Sequence, residues 1–414
     1  MQRTLATSSL ALFATVAMGS TARADFGSDN SWWKTFAISG YVDAGIMVNP
    51  TGSSGPVGTD TNGTNFGRLF DDRANRPELN QASILITRPL DPNADDFDYG
   101  FTLQPMFGTD ARYTHLLGVA DHAISSIEQV TLIEADALMH LPWTIGGGTD
   151  VKIGIFPSPL SAETTVPSNN PFFSHSYIFN FGVTVAHTGA FTVTHATPMF
   201  DVYLGIDAGN QTTPWKDNNS SAAGWAGLGI NLLGGNLTIT ALNHFGPENP
   251  TGTVNASGAL VDGSWRSEST ITTVYKYNDN LTLTADLNFA RDAGFSASAY
   301  GVAGYAAYAV NTELTLQARA ELWRDDSGFF VAAFPGNLDA RNALVGAPTT
   351  AFGAGPSTYT EITLGANYKK SLPDPLGTVL FRPELRYDNA TAKAFNNGRR
   401  HDSFTIGADV IVSF

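Results

Sequence analysis

The sequence contains no cysteine, so no disulfide framework holds the chain together. Charge is sparse, at 15% of residues, and base is the scarcer kind: 23 Lys and Arg against 38 Asp and Glu give a net charge of −15. That balance argues against nucleic acid or another polyanion as partner and suits cations or neutral solutes. Long hydrophobic runs are missing as well. Beyond the N-terminal leader nothing approaches the roughly 18 apolar residues of a transmembrane helix. The eight histidines never form H-x-H or H-E-x-x-H, and P-loop, dinucleotide and nucleophile-elbow signatures are all absent.

What is present begins with an export signal. Met1, Gln2 and Arg3 form a short positive region, Leu5 to Gly19 an apolar one, and Ala22-Arg23-Ala24 a small-residue cleavage pattern. Residues 1–24 read as a cleaved signal peptide and 25–414 as one domain. Trp32 and Trp33 then precede a first alternating segment, Thr35 to Val48, where an interface belt would lie.

From there the chain alternates with period two, segment after segment, about sixteen times, with 14 and 18 as the neighbouring even counts. Examples are Leu281 to Phe289 (alternating with Thr282, Thr284, Asp286 and Asn288), Leu314 to Leu322 (with Arg319 and Glu321), and Phe381 to Tyr387 (with Arg382, Glu384 and Arg386). In the segment Glu128 to Leu141, the residues Glu128, Glu134 and Asp136 share one face opposite Ile133, Ala135, Ala137 and Met139. Gly234-Gly235 is the strongest hairpin signal.

Connections after odd-numbered strands, Arg291 to Ala299 among them, read as long loops. Those after even-numbered strands read as short turns. A soluble sandwich has no reason to keep that parity. An all-β transmembrane antiparallel barrel does, with short periplasmic turns, long external loops and both termini periplasmic. The final segment, Asp402 to Phe414, would close such a barrel against the first. It resembles the closing strand of outer-membrane barrels, whose terminal Phe belongs to the signal read by the barrel assembly machinery. Asp409 is its one inward charge, so it reads as plain wall.

The third external loop, 157–181, carries four prolines and is a candidate constriction, with Phe172, Phe173, His175 and Tyr177 as its distinctive residues. Ser174-His175-Ser176-Tyr177, Phe179, Phe181-Gly182, His187-Thr188-Gly189, Gly205-Ile206-Asp207-Ala208-Gly209 and Asp217-Asn218-Asn219 together resemble the OmpL-like β-barrel porins of the Gram-negative outer membrane. The resemblance implies a passive diffusion channel for small hydrophilic solutes, surrounded by outer-membrane lipid and lipopolysaccharide, and a possible homotrimer.

Inward-facing charges would then line the pore: Glu134, Asp136, Lys152, Asp286, Arg319, Glu321, Glu361, Arg382, Glu384 and Arg386. No cofactor, metal site or catalytic group is expected. Two other readings stay open. One is a plugged barrel for adhesion or anchoring. The other is a barrel hydrolase built on Ser174, His175, Ser176, His187 and Asp207, although proximity in sequence does not make a triad. Asp71-Asp72 and Asp325-Asp326 are acidic loop pairs that could bind Ca²⁺, but neither has a Ca²⁺-loop spacing.

Overall fold

The structure, a computed structural model, describes residues 35–53, 63–91, 95–123, 126–373 and 376–414. The signal peptide and the Trp32–Trp33 pair lie outside the described residues. Sixteen antiparallel strands form one closed barrel in sequence order, the last pairing with the first. They are β1 (Ala37–Val48), β2 (Pro77–Arg88), β3 (Asp98–Gly108), β4 (Gln129–Leu141), β5 (Thr149–Pro157), β6 (Ala186–Thr194), β7 (Phe200–Asp207) and β8 (Ala223–Leu232). Then follow β9 (Leu237–Pro247), β10 (Trp265–Lys276), β11 (Leu281–Asp292), β12 (Ala297–Ala309), β13 (Leu314–Asp325), β14 (Ser357–Ser371), β15 (Thr378–Ala390) and β16 (Asp402–Ser413).

Closure is achieved by β16 against β1, with Val412 opposite Val42 and Ala408 opposite Ile46. Gly40 and Phe414 exchange both backbone hydrogen bonds, at 3.0 and 2.9 Å. A side chain at residue 40 would meet the Phe414 ring at 2.4 Å, so glycine lets the last residue pack there. In this way the barrel closes without an unpaired edge, the condition for its strands to cross a bilayer.

The faces divide as the alternation requires. On β14, Ile362 and Leu364 are exposed while Glu361 and Thr363 are buried inside. On β13, Leu316 and Leu322 point out and Arg319 and Glu321 point in. The β8–β9 turn uses Gly234 and Gly235 in the left-handed region, with φ of 66° and 91°.

Two expectations are corrected. The β11–β12 connection is only residues 293–296, not a long loop. Both strands run further because the Asp292 carboxylate accepts the N–H groups of Gly294 and Phe295, at 3.0 and 3.2 Å, and makes a tight turn. On β4, Glu128 lies before the strand, and Ile133 is buried beside Glu134 rather than opposite it. The ladder to β3 slips between Gln104 and Pro105. Proline has no N–H to pair there, and the resulting bulge changes the phase of β4.

Replacing the outward-facing, mid-strand Leu364 by Arg is expected to destabilise the lipid-inserted barrel by about 2–4 kcal/mol. Urea unfolding from lipid vesicles measures it, and an unchanged midpoint would contradict a lipid-facing Leu364.

Candidate functional site

The connection between β5 and β6, residues 158–185, enters the barrel. It contains a short 3₁₀ turn, Pro167–Asn169, and one π-helical turn, Ile178–Gly182. Such irregular backbone leaves its peptide groups unpaired, and away from water each needs a partner. The wall supplies them. Glu384 on β15 accepts the N–H groups of Phe173 and Ser174, at 2.9 and 3.1 Å. Glu321 on β13 accepts those of Tyr177 and Ile178, at 2.6 and 2.8 Å. Asp286 on β11 takes Ala162 N–H and the Ser161 hydroxyl, both at 2.8 Å.

Arginines serve the carbonyls. Arg382 donates to the carbonyls of Pro167 and Asn170, at 2.6 and 2.9 Å, Arg319 to Ser174 at 2.8 Å and Arg386 to His175. Each guanidinium has donors to spare for a wall carboxylate. Arg319 also holds Glu361, Arg386 holds Asp388, and Arg382 holds Asp409. The closing strand is therefore not plain wall, because Asp409 orients the arginine that anchors the loop.

The candidate loop residues are all buried. Phe172 lies under Arg319, with the guanidinium carbon 5.0 Å from its ring centre. Phe173 sits within contact of Gly45 on β1, a position where a Cβ would crowd its ring. Tyr177 donates to Asp388 at 3.0 Å and stacks on Tyr359 at 4.9 Å. His175 Nδ1 lies 2.7 Å from Glu163, a loop carboxylate that also takes Arg319 and Tyr305, both at 2.9 Å. Burial by itself raises the pKa of Glu163, but Arg319 and the hydrogen bond from His175 outweigh it and hold the group at about 2.

The first long loop folds in as well. Arg68, fully buried, pairs with Asp71 and reaches Asp388 on β15 at 2.7 Å. Asp72 pairs with Arg112 at 2.7 Å and accepts the Tyr113 hydroxyl at 2.6 Å. Asp325 accepts five N–H groups of its own loop, from Ser327, Gly328, Phe329, Phe330 and Val331, and Asp326 pairs with Arg324. Both aspartate pairs raised as Ca²⁺ candidates thus have protein partners. Around these loops, aromatic clusters centred on Phe66, Tyr177 and Tyr359, and on Phe70, Phe179 and Trp225, fill much of the long-loop end.

One open space lies toward the short-turn end. A cavity of about 560 Å³ is bounded by the loop at Ser161, Glu163 and Val166 and by wall threonines such as Thr240, Thr272 and Thr284. Glu134 and Lys152, paired with each other, line it too, and Asp136 lies 3.4 Å from the same ammonium. The predicted charges therefore separate into two groups. Glu134, Asp136 and Lys152 form one cluster by the cavity, whereas Asp286, Arg319, Glu321, Glu361, Arg382, Glu384 and Arg386 lie against the loop or its anchors. Sequence reasoning missed Glu163 and Arg68, since a loop charge looks the same whether it is solvated or turned inward. His175 pairs with Glu163 and His187 with Asp207, at 2.9 Å, so the residues of the hydrolase reading are divided between two clusters.

A closed sixteen-stranded barrel with inward-folded loops has the form of the outer-membrane porins. Residues 35–414 match the family described as "Putative beta-barrel porin-2, OmpL-like", and the chain belongs to it. Among solved structures it is similar to Salmonella typhi OmpF in complex with daunomycin (12% identity, TM-score 0.55, covering 92% of this chain and 97% of that one). The outer membrane channel DcaP of Acinetobacter baumannii gives 12% identity, a TM-score of 0.52 and coverages of 92% and 97%. The anion-selective porin from Comamonas acidovorans gives 10%, 0.50, 92% and 99%. At such identities the likeness is one of fold. No curated protein matches the chain in sequence.

Glu384→Ala strands two loop N–H groups and should cost about 1.5–3 kcal/mol per bond to the lost charge. Amide exchange at residues 172–178 should accelerate while that of the barrel strands stays slow; equal protection would show that the wall does not hold the loop. Because the Glu163 carboxylate is lowered by folding, its contribution is complete above the ordinary glutamate range and disappears as pH falls toward 2. The difference in loop protection between wild type and Glu163→Gln should accordingly be constant above about pH 5 and shrink below about pH 4.

Proposed function

We propose that the protein is an outer-membrane channel through which small hydrophilic solutes or ions pass passively, with residues 158–185 as its fixed constriction. The carrying observation is the loop itself. It is held by wall residues on β11, β13 and β15 and leaves beneath it a cavity lined by threonines together with Glu134 and Lys152. Membership of an OmpL-like porin family, and a fold shared with proteins described as a channel and as a porin, support the same reading.

In this reading no chemical step occurs, the short turns and both termini face the periplasm, and the long loops meet lipopolysaccharide. The barrel assembly machinery inserts the chain, which assembles as a homotrimer. Selectivity then rests on the charges beside the cavity, Glu134, Asp136, Lys152 and Glu163, since the arginines of β13 and β15 are engaged by the loop. Carboxylates outnumber the one lysine there, which favours cations.

A second reading, the plugged barrel, is favoured by one observation: aromatic clusters pack the long-loop end around the inserted loops. Planar-bilayer recording separates the two. A channel gives stepwise conductance, and deletion of residues 162–180 enlarges the steps. Complete silence of the folded wild-type protein would sink the channel and leave the plug. In a conducting protein, Lys152→Met should raise the cation-to-anion permeability ratio; an unchanged ratio would remove Lys152 from the ion path.

A further inference from the structure

Neighbouring strands bring a second set of inward-facing groups together at the long-loop end. His187 is on β6, Asp207 ends β7, Trp225 is on β8 and His244 is on β9. His187 Nδ1 lies 2.9 Å from Asp207 Oδ2, and His244 Nε2 lies 3.2 Å from the same carboxylate. One ligand atom from each of the three residues falls within 4.8 Å of the others, the one such grouping among the described residues. A tetrahedral ion with bonds of about 2.0–2.1 Å needs its ligand atoms roughly 3.3 Å apart; the two spacings to Asp207, 2.9 and 3.2 Å, are near this, and the widest in the group is within 4.8 Å.

A hydrogen-bonded network does not account for the cluster by itself. His187 is completely buried; its Nδ1 faces Asp207 Oδ2 at 2.9 Å, and its Nε2 makes no hydrogen bond. A buried ring nitrogen without a hydrogen bond is costly, and a cation bound by that nitrogen removes the cost. The surroundings hold the remaining ligands in place. Asp207 accepts from Trp225 Nε1 at 2.7 Å and from Gly209 N–H at 2.8 Å.

Behind His244, its Nδ1 faces Glu248 Oε1 at 3.9 Å, an oxygen that has no hydrogen bond of its own. A carboxylate behind an imidazole orients the ring and directs the other nitrogen at a metal. Asn210 N–H fixes the second oxygen of Glu248 at 2.7 Å. Charge points the same way. Glu268 is joined to this region through Asn210 at 3.0 Å, while the nearby Arg266 is engaged by Asp292. Asp207, Glu248 and Glu268 thus concentrate negative charge in one buried place.

We propose that His187, Asp207 and His244 bind one divalent transition-metal ion of the Zn²⁺ or Co²⁺ class, with Glu248 positioning His244. Two imidazole nitrogens select such ions over Ca²⁺ and Mg²⁺, which prefer all-oxygen shells. The ion ties β6, β7 and β9 together. The expectation of no metal site rested on missing histidine motifs, and those motifs describe ligands on one segment, whereas these come from three strands.

The test uses the full-length protein folded in detergent, stripped with a chelator and titrated with Co²⁺. Wild type should bind one equivalent and develop visible d–d bands that Zn²⁺ abolishes. His187→Asn, Asp207→Asn and His244→Asn should each lose the bands, and Glu248→Gln should weaken binding about 10–100-fold. His140→Gln, whose histidine pairs with Asp150 elsewhere, should bind like wild type. X-ray absorption at the cobalt edge of the wild-type protein should count two imidazoles, which tests the assignment even where a variant does not fold. Absence of stoichiometric binding by wild type, an edge without two imidazoles, or binding that survives all three ligand substitutions overturns the proposal.

Discussion

A peptide group taken out of water must find a hydrogen-bond partner, and this structure meets that requirement at two levels. In the wall, strands satisfy each other around a closed circuit, with β16 completing it against β1. Inside the wall the problem returns, because an irregular loop is buried where no neighbouring strand pairs with it. Charged side chains solve it there: carboxylates on β11, β13 and β15 accept its N–H groups, and arginines on β13 and β15 donate to its carbonyls.

This arrangement changes what the interior charges mean. A row such as Arg382, Glu384 and Arg386 on an inward face suggests a field across open water. In the folded molecule each contacts loop backbone, and each arginine is also neutralised by a carboxylate, as with Arg382 and Asp409 or Arg386 and Asp388. Removing one partner of such a buried pair leaves the other charge uncompensated, at a cost of about 3–5 kcal/mol. The loop and the wall are therefore energetically one unit. The lumen that remains is displaced toward the short-turn end, beside Glu134, Lys152 and the threonines of β9 to β11.

The cluster around His187, Asp207 and His244 stands apart from this clamp in its chemistry. The clamp consists of carboxylates and guanidinium groups that find one another or peptide dipoles. The cluster sets two imidazoles against carboxylates, and His187 Nε2 and one Glu248 oxygen are left without a hydrogen bond. One wall thus carries a network of carboxylates and guanidinium groups around the loop and, a few strands away, the proposed metal site.

By itself the sequence determined the barrel, its two faces and a strand number near sixteen; closure fixed the count at sixteen. These follow from local rules: a period of two puts alternate side chains on opposite sides, and turn residues such as Gly234-Gly235 mark where the chain reverses. Where a rule involves the neighbouring strand, the reading slipped, as at Ile133, whose phase depends on a bulge opposite Pro105. Alternation also says that Arg319 or His187 points inward, but not what stands in the interior to meet it. That Arg319 joins Glu163, that Asp409 serves the third loop through Arg382, and that His187 and His244 share Asp207 were decided only by tertiary structure. Those partners lie far apart along the chain, and only closure of the barrel and entry of the loop bring them within bonding distance.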